Sequence, residues 1–393
     1  MSEVLLREVR MEAQETGVVL LAEAAGGVMR HVIDLYKGLR SRDWRVRMVL
    51  SPLRIESRYR DELDLLDQED IFYVPMRRPP HPTDMKAFSD IIEILKRTPD
   101  ETILHAHSTK AGMIGSLLRS RVRASIFTPH AYRGVDETIR RFSRAFLRVA
   151  ERAYSKDYDR VLTLAPAEME YARSIGIREE ALRCIPSGLD TGQIRFSEVF
   201  ERRRPRTGRL CLGFVGRLVY QKNPILFLEV LAQVVRRGRD ARAIIVGDGP
   251  MRGAMSHAAR RLGIAERIDW RGDTPAADWM REMDVIVHTS IYEALPYVLL
   301  EACADLLPIV ATSNCGSEAV LRSRLPGSIA SSPEASEMAS ILLSLVEDES
   351  LLVKQSSILA RIAQEYSAEK MISSIEAEYR TVAQHSSGVL IHS

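Results

Sequence analysis

Short apolar, β-branched runs alternate with longer segments whose apolar residues recur at helical spacing, and the pattern holds through most of the chain. In the first half the runs at 16–22, 45–50, 71–74, 102–105, 124–128, 160–164 and 182–185 predict strands. The segment 28–39 between the first two predicts an amphipathic helix, and Thr83 is placed to cap a later one. A second series of strands is expected at 210–214, 242–246, 267–270, 285–288 and 309–311, and helices close the chain, one of them over 368–383. This alternation predicts an α/β fold with mainly parallel sheets. Around 190–208 the pattern breaks into a polar, arginine-rich stretch closed by Pro205 and Gly208, which reads as a linker. The expected division is therefore a first domain over 1–190, a linker over 191–208, a second domain over 209–366, and a closing helix with tail over 367–393. A chain of 393 residues divides naturally into two such domains.

Charge alters the picture only locally. The 55 basic and 53 acidic residues leave a net charge of +2, so no global field marks a nucleic-acid binder. The arginines do cluster, at 54–60, 119–123, 140–152 and 202–209. Such clusters read as solvated helix faces or a linker, or else as a basic surface for anionic lipid or an anionic substrate. Over 138–154, helical spacing puts Ile139, Phe142, Phe146 and Val149 on one face with arginines around it. That face is expected to pack on the sheet, with anionic membrane as the alternative partner. Cys184, Cys211, Cys303 and Cys315 form no metal-ligand pattern, and Cys184 and Cys211 read as small core residues. A reducing cytoplasmic setting is expected. The first residues lack the apolar core of a signal peptide, and no run approaches the roughly 18–20 apolar residues of a membrane span. Any membrane contact should then be peripheral, at the inner face.

Ligands of open α/β sheets bind beyond the carboxyl ends of the strands, so the loops there are the candidates for chemistry. After the first strand, AAGGVMRH offers Gly26 and Gly27 for a tight turn and a helix N-terminus for an anion. It lacks the full GxGxxG of a dinucleotide site. In FVGRLVYQKNP, Arg217 and Lys222 straddle a loop that enters a helix at Asn223 and Pro224, an arrangement suited to a diphosphate. IIVGDGPM ends a strand on Gly247, Asp248 and Gly249, where a nucleotide base has room to lie or Asp248 simply caps the next helix. In HTSIYEALPYVLLEACA, Glu293 lies in a loop and Glu301 two turns into a helix, both placed to accept hydrogen bonds from sugar hydroxyls. His105, His107 and His130 follow strands, but no acidic partner stands at a ligand-like spacing, and no metal site is expected. Asp157-Tyr158-Asp159 reads as a surface turn.

In order, GGVMRHV, HSTKAG, TPHAY, CIPSGLD, FVGRLVYQKN, VGDGP and the pair Glu293 and Glu301 resemble glycosyltransferase family 4, over roughly 17–380. The resemblance implies the GT-B fold, two Rossmann-like domains facing across a cleft, with the last helix crossing back to the first. It implies an acceptor-binding first domain and a second domain that binds the nucleotide-sugar. Arg217 and Lys222 would hold the donor diphosphate, Glu293 the transferred sugar and Glu301 the ribose. His130 would donate a hydrogen bond near the reacting centre, and Gly27 would approach the phosphates. Gly247, Asp248, Gly249, Ala294 and Leu295 would complete the donor site. Departures are Ala294 and Leu306 for usual glycines, Ser187 for the asparagine of PNG, and a short loop over 313–318. Ala294 narrows the sugar pocket.

The implied activity is retaining transfer of a hexosyl unit, without metal or cofactor, from a UDP-sugar in preference to a GDP-sugar. The acceptor would be a saccharide or polyprenyl-linked hydroxyl in polysaccharide or glycolipid synthesis. Two alternatives stand beside it: a catalytically silent nucleotide-sugar-binding scaffold, and a GT-B sugar-nucleotide epimerase.

Overall fold

The computed structural model describes residues 16–77, 81–99, 101–136, 138–190 and 208–387. The expected linker over 191–208, except its last residue, and the end of the tail lie outside the described residues. The chain forms two compact units, Met1–Ser187 with Ala368–Ser393, and Gly188–Ser367.

The first unit is built on seven parallel strands: β1 (Gly17–Ala22), β2 (Arg45–Leu50), β3 (Ile71–Tyr73), β4 (Thr102–His107), β5 (Ala124–Thr128), β6 (Arg160–Thr163) and β7 (Leu182–Cys184). Their order across the sheet is β3-β2-β1-β4-β5-β6-β7. β1 explains why the run GVVLLA becomes a central strand. Val18, Leu20 and Ala22 enter the core on one face of the sheet, and Val19 and Leu21 enter the core on the other. A parallel strand buried on both faces gains from an uninterrupted apolar sequence. The first of these cores is closed by the helix Ala368–Ser387, which contributes Met371, Ile372, Ile375, Tyr379 and Val382. Each such side chain stabilises by about 1.5–3 kcal/mol when fully buried. Ion pairs fix the helix in place: Arg42 pairs with Glu376, and Glu378 receives both Arg160 and Arg183, at 2.7 and 3.0 Å.

The second unit has β8 (Leu210–Val215), β9 (Ala241–Val246), β10 (Ile268–Gly272), β11 (Val285–His288), β12 (Ile309–Thr312) and β13 (Ile329–Ala330), again all parallel. The order is β10-β9-β8-β11-β12-β13. Both sheets reverse their direction of winding once, between β1 and β4 and between β8 and β11. In doubly wound sheets such a switch point splays adjacent loops apart and leaves a crevice at the carboxyl ends.

Four local expectations need correction. The helix Arg141–Ser155 does not lay its phenylalanines on the sheet: Phe142 is 90% exposed, Phe146 73% and Val149 69%. Its buried side instead carries Glu151, Tyr154 and Ser155, whose polar atoms have partners within the unit. Thr83 stands at the N-cap of Asp84–Leu95 without a side-chain capping bond, because its hydroxyl lies 2.9 Å from the His81 ring. Cys184 is exposed rather than in the core, because it ends the edge strand β7. Strand β4 runs on to His107, since its histidines are fully buried and continue the ladder.

Candidate functional site

In the first unit the loops after β1, β4 and β5 gather four histidines. His105 and His107 end β4, His130 follows β5, and His31 lies on the helix Gly27–Arg40. His107 Nδ1 lies 3.1 Å from His130 Nε2, and His31 Nδ1 lies 3.1 Å from the Ser187 hydroxyl. His105 is held from both sides, 2.6 Å from the Tyr379 hydroxyl and 2.8 Å from that of Thr128. Burial lowers the basicity of all four: His31 is pushed down to about 3, and the others lie well below the ordinary imidazole range. Neighbouring imidazoles add to the effect on His105, His107 and His130. Burial therefore favours the neutral imidazoles, which can offer hydrogen bonds rather than charge. Nε2 of His31 and of His107 is buried without a hydrogen-bond partner among the described residues.

Backbone strain marks the same place. Ser108, His130 and Ala131 adopt φ of 78°, 54° and 90°, in the left-handed region that non-glycine residues avoid. Two buried carboxylates hold the turn after β5. Glu168 accepts from Ala131 N and Leu164 N, both at 2.8 Å, and Glu151 accepts from Arg133 N at 2.7 Å and Gly134 N at 3.1 Å. Burial pushes the Glu168 carboxyl up to about 7 despite these donors. Sequence reading missed both residues, because a glutamate on a helix looks like a solvent-facing position. Gly26, at φ 58°, makes the turn out of β1, but its N–H already donates to Glu56 Oε2 at 2.9 Å. Gly27 opens the helix that follows.

Donor atoms of His31, His107 and His130 lie within 4.8 Å of one another. Tetrahedral zinc, with bonds of about 2.0–2.1 Å, would need them roughly 3.4 Å apart. Among the described residues no carboxylate joins the set, and two of the rings already bond each other. The geometry fits a hydrogen-bonded imidazole floor better than a metal cage.

In the second unit, four strand-end loops are stitched together. Leu218 N donates to Asp248 O, and Met251 N donates to Leu218 O, both at 2.9 Å. These bonds draw the loop carrying Arg217 against the turn Gly247-Asp248-Gly249. Only glycine suits Gly247: φ is 129°, and a Cβ would lie 2.1 Å from Gly216 O. Asp248 is exposed, and its carboxylate accepts from Gly249 N at 2.7 Å instead of capping the next helix. On the other side, Ile291 N donates to Gln221 O at 2.8 Å, and the Thr289 hydroxyl donates to Lys222 O at 2.9 Å. Asn223, left-handed at φ 44°, then turns the chain into the helix Pro224–Arg236.

This stitching brings Lys222 Nζ to 2.5 Å from Glu293 Oε1, with side chains only 17% and 11% exposed. Burial alone would raise the Glu293 carboxyl, but the Lys222 ammonium reverses this and holds it below the usual carboxylate range. His288, beneath the pair, is pushed down to about 3 by burial and by the Lys222 charge. Ala294 and Leu295 are buried beside Glu293. Gly316 lets the next loop close on them, since a Cβ there would lie 2.9 Å from Glu293 Cβ. Glu301 sits half-buried on the helix Tyr297–Ala304, between fully buried Leu300 and Ala302. Arg217 is half-buried at the start of its loop.

Two doubly wound units of parallel strands are those of the GT-B fold, and the matching family models and relatives make the chain a glycosyltransferase that uses nucleotide-sugar donors. The model of group 1 glycosyl transferases matches residues 196–365, and that of the glycosyl transferase 4-like domain matches residues 26–188. The chain belongs to the family 4 type of glycosyltransferases.

Among its relatives is the UDP-Gal:alpha-D-GlcNAc-diphosphoundecaprenol alpha-1,3-galactosyltransferase of Escherichia coli, 22% identical over 310 residues, which cover 75% of this chain and 79% of that enzyme. The D-inositol 3-phosphate glycosyltransferase of Nocardia farcinica is 25% identical over 265 residues, 63% of this chain and 59% of that one. Among solved structures, Anabaena HepE in complex with UDP and glucose superposes with a TM-score of 0.76 at 19% identity, over 93% of this chain and 99% of that one. WaaG, a glycosyltransferase involved in lipopolysaccharide biosynthesis, gives 0.70 at 15% identity, over 91% and 98%. At these identities the structural likeness concerns the fold.

Proposed function

We propose that this chain is a metal-independent, retaining hexosyltransferase that moves a sugar from a UDP-sugar to a hydroxyl of a saccharide or polyprenyl-linked acceptor. The observation that carries this reading is the Lys222–Glu293 pair at the switch point of the second unit. As the sugar–phosphate bond breaks, negative charge grows on the departing diphosphate, and preorganised cations lower the barrier most where that charge develops. Lys222 and Arg217 supply such cations without a metal ion. Glu293, held ionised by Lys222, accepts hydrogen bonds from the sugar hydroxyls, and Glu301 accepts those of the ribose. Gly247, Asp248 and Gly249 form the turn on which the base rests. In the first unit the acceptor meets the histidine floor, where neutral His130 donates one hydrogen bond. Same-face attack, with the leaving phosphate taking the acceptor's proton, preserves the anomeric configuration.

A UDP donor and a lipid-linked acceptor are supported by the E. coli relative, whose name states both, and by the UDP and glucose bound to HepE. An acceptor of that kind places the enzyme at the cytoplasmic face of a membrane. Among the described residues no helix is long and apolar enough to cross one; the contact we propose is a peripheral one. The test is a panel of UDP- and GDP-sugars assayed in EDTA, with and without a saccharide-diphosphoprenyl acceptor, and NMR of the product's anomeric centre. Acceptor-dependent release of UDP and an α-linked product from an α-linked donor are expected. Nucleotide release without acceptor would point to an epimerase, no turnover with any donor to a silent binder, and turnover restored only by Mg²⁺ or Mn²⁺ would remove metal independence.

A further inference from the structure

We propose that His107 is a positioning residue for His130: its Nδ1–H donates to His130 Nε2 and so holds His130 in the tautomer that presents Nδ1–H to the bound substrate. The catalytic consequence rests on the role proposed for His130 above, whereas the tautomer follows from the structure alone. Of the four histidines only His130 is half-buried; His31, His105 and His107 are fully buried. His130 is therefore the ring that meets a ligand, and any effect of His107 on that ligand passes through it.

Burial favours neutral rings, each with one N–H and one bare nitrogen. Across the 3.1 Å contact between His107 Nδ1 and His130 Nε2, one nitrogen donates and the other accepts. The direction is decided on the far side of His107, where Nε2 is buried with no hydrogen-bond partner among the described residues. A proton there would be a buried N–H without an acceptor, the costlier kind of orphan, whereas a bare nitrogen forfeits less. The His107 proton therefore lies on Nδ1, His130 Nε2 accepts the bond, and the one N–H of His130 is left at Nδ1. The packing around His107 keeps it in this bond. Its ring centroid lies 4.0 Å from that of His105, with the planes tilted by 35°, and His105 is pinned on both nitrogens by Tyr379 and Thr128. His31 stands edge-on to His130 at 4.8 Å. The closing helix, through Tyr379, and β5, through Thr128, thus steady the ring that fixes His130.

The experiment is long-range ¹H–¹⁵N correlation spectroscopy of the full chain labelled at its imidazole nitrogens, with the His130 signals assigned by their loss in His130→Gln. His130 should show a protonated Nδ1 and a bare Nε2, and His107 likewise. His107→Leu removes the donor, and His130 should then shift toward the Nε2–H form that prevails in a free imidazole side chain. His107→Asn keeps an N–H close to the place of Nδ1 and should restore the natural pattern. Turnover should follow the spectra: kcat falls about tenfold to hundredfold in the leucine variant with KM little changed, and recovers in the asparagine variant. A merely structural role would lower stability in both variants without moving the tautomer. A protonated Nε2 on His130 in the natural protein would overturn the proposal, whether or not the leucine variant folds. So would a leucine variant that keeps the Nδ1–H form, or one that loses it at full kcat. Absence of turnover in the natural protein would instead count against the transferase reading, and the spectra would still decide the hydrogen bond.

Discussion

Glu293→Gln is the substitution whose outcome follows most directly from the structure. The side chain keeps its shape but loses the charge that Lys222 faces at 2.5 Å. Removing one partner of a fully buried pair costs about 3–5 kcal/mol. Here both groups keep slight solvent contact, so a loss of about 1–2 kcal/mol is expected. The sign with pH follows from the depressed carboxyl. Its contribution is present above the ordinary carboxylate range and is lost as pH falls through the lower folded value, so variant and natural protein should converge in stability as the pH is lowered below that range. Lys222 is freed by the substitution, so affinity for UDP alone should stay level or rise, while turnover falls through loss of the sugar contact. Calorimetric titration of UDP, thermal melts across pH and steady-state kinetics read the three effects separately. A fall in UDP affinity equal to the fall in turnover would refute the assignment of Glu293 to the sugar.

Other substitutions test the framework around the sites. Glu168→Gln leaves only one acceptor oxygen for the backbone N–H groups of Ala131, Tyr132 and Leu164 and should cost about 1–3 kcal/mol. Because burial raises this carboxyl from 4.5 to about 7, its contribution to stability is present below 4.5 and is lost as pH rises through 7, roughly 3 kcal/mol in all. Melting temperatures of the variant should lack that slope, and parallel curves for the two proteins would contradict the account. Gly247→Ala forces a Cβ to within 2.1 Å of Gly216 O and should unfold or severely weaken the second unit, whereas Gly253→Ala, with open space around it inside a helix, should gain up to about 1 kcal/mol. Equal melting temperatures for the two alanine variants would show that the packed glycine turn is unimportant.

The parts legible in the sequence were those written in apolar periodicity. Arg45–Leu50, Ala124–Thr128 and Val285–His288 form over the expected residues, since each is a short run buried in a sheet. Periodicity was silent where polar groups are buried. His105 and His107 carry β4 into the core through partners as distant as Tyr379, and Glu151 and Glu168 hold the turn around His130 from inside the fold. Those contacts join residues far apart in the chain, and no local spacing announces them. Likewise, the pattern over 138–154 predicted a helix, found over Arg141–Ser155 without Ile139, but not its outward face, because apolar spacing does not tell which surface a stripe faces. At the donor loops the residue types were readable, whereas the pairing of Lys222 with Glu293 emerged only once β8 and β11 were adjacent.

The central claim is that protein cations, rather than a metal, stabilise the departing diphosphate. The most direct measurement is steady-state donor turnover in EDTA for Arg217→Ala, Lys222→Ala and the double variant, each first shown to be folded. Each single substitution is predicted to lower kcat by about 10²–10³ and to raise KM by much less. The double variant should lose less than the product of the two, since both cations serve one leaving group. Near-natural kcat in both single variants would contradict the account.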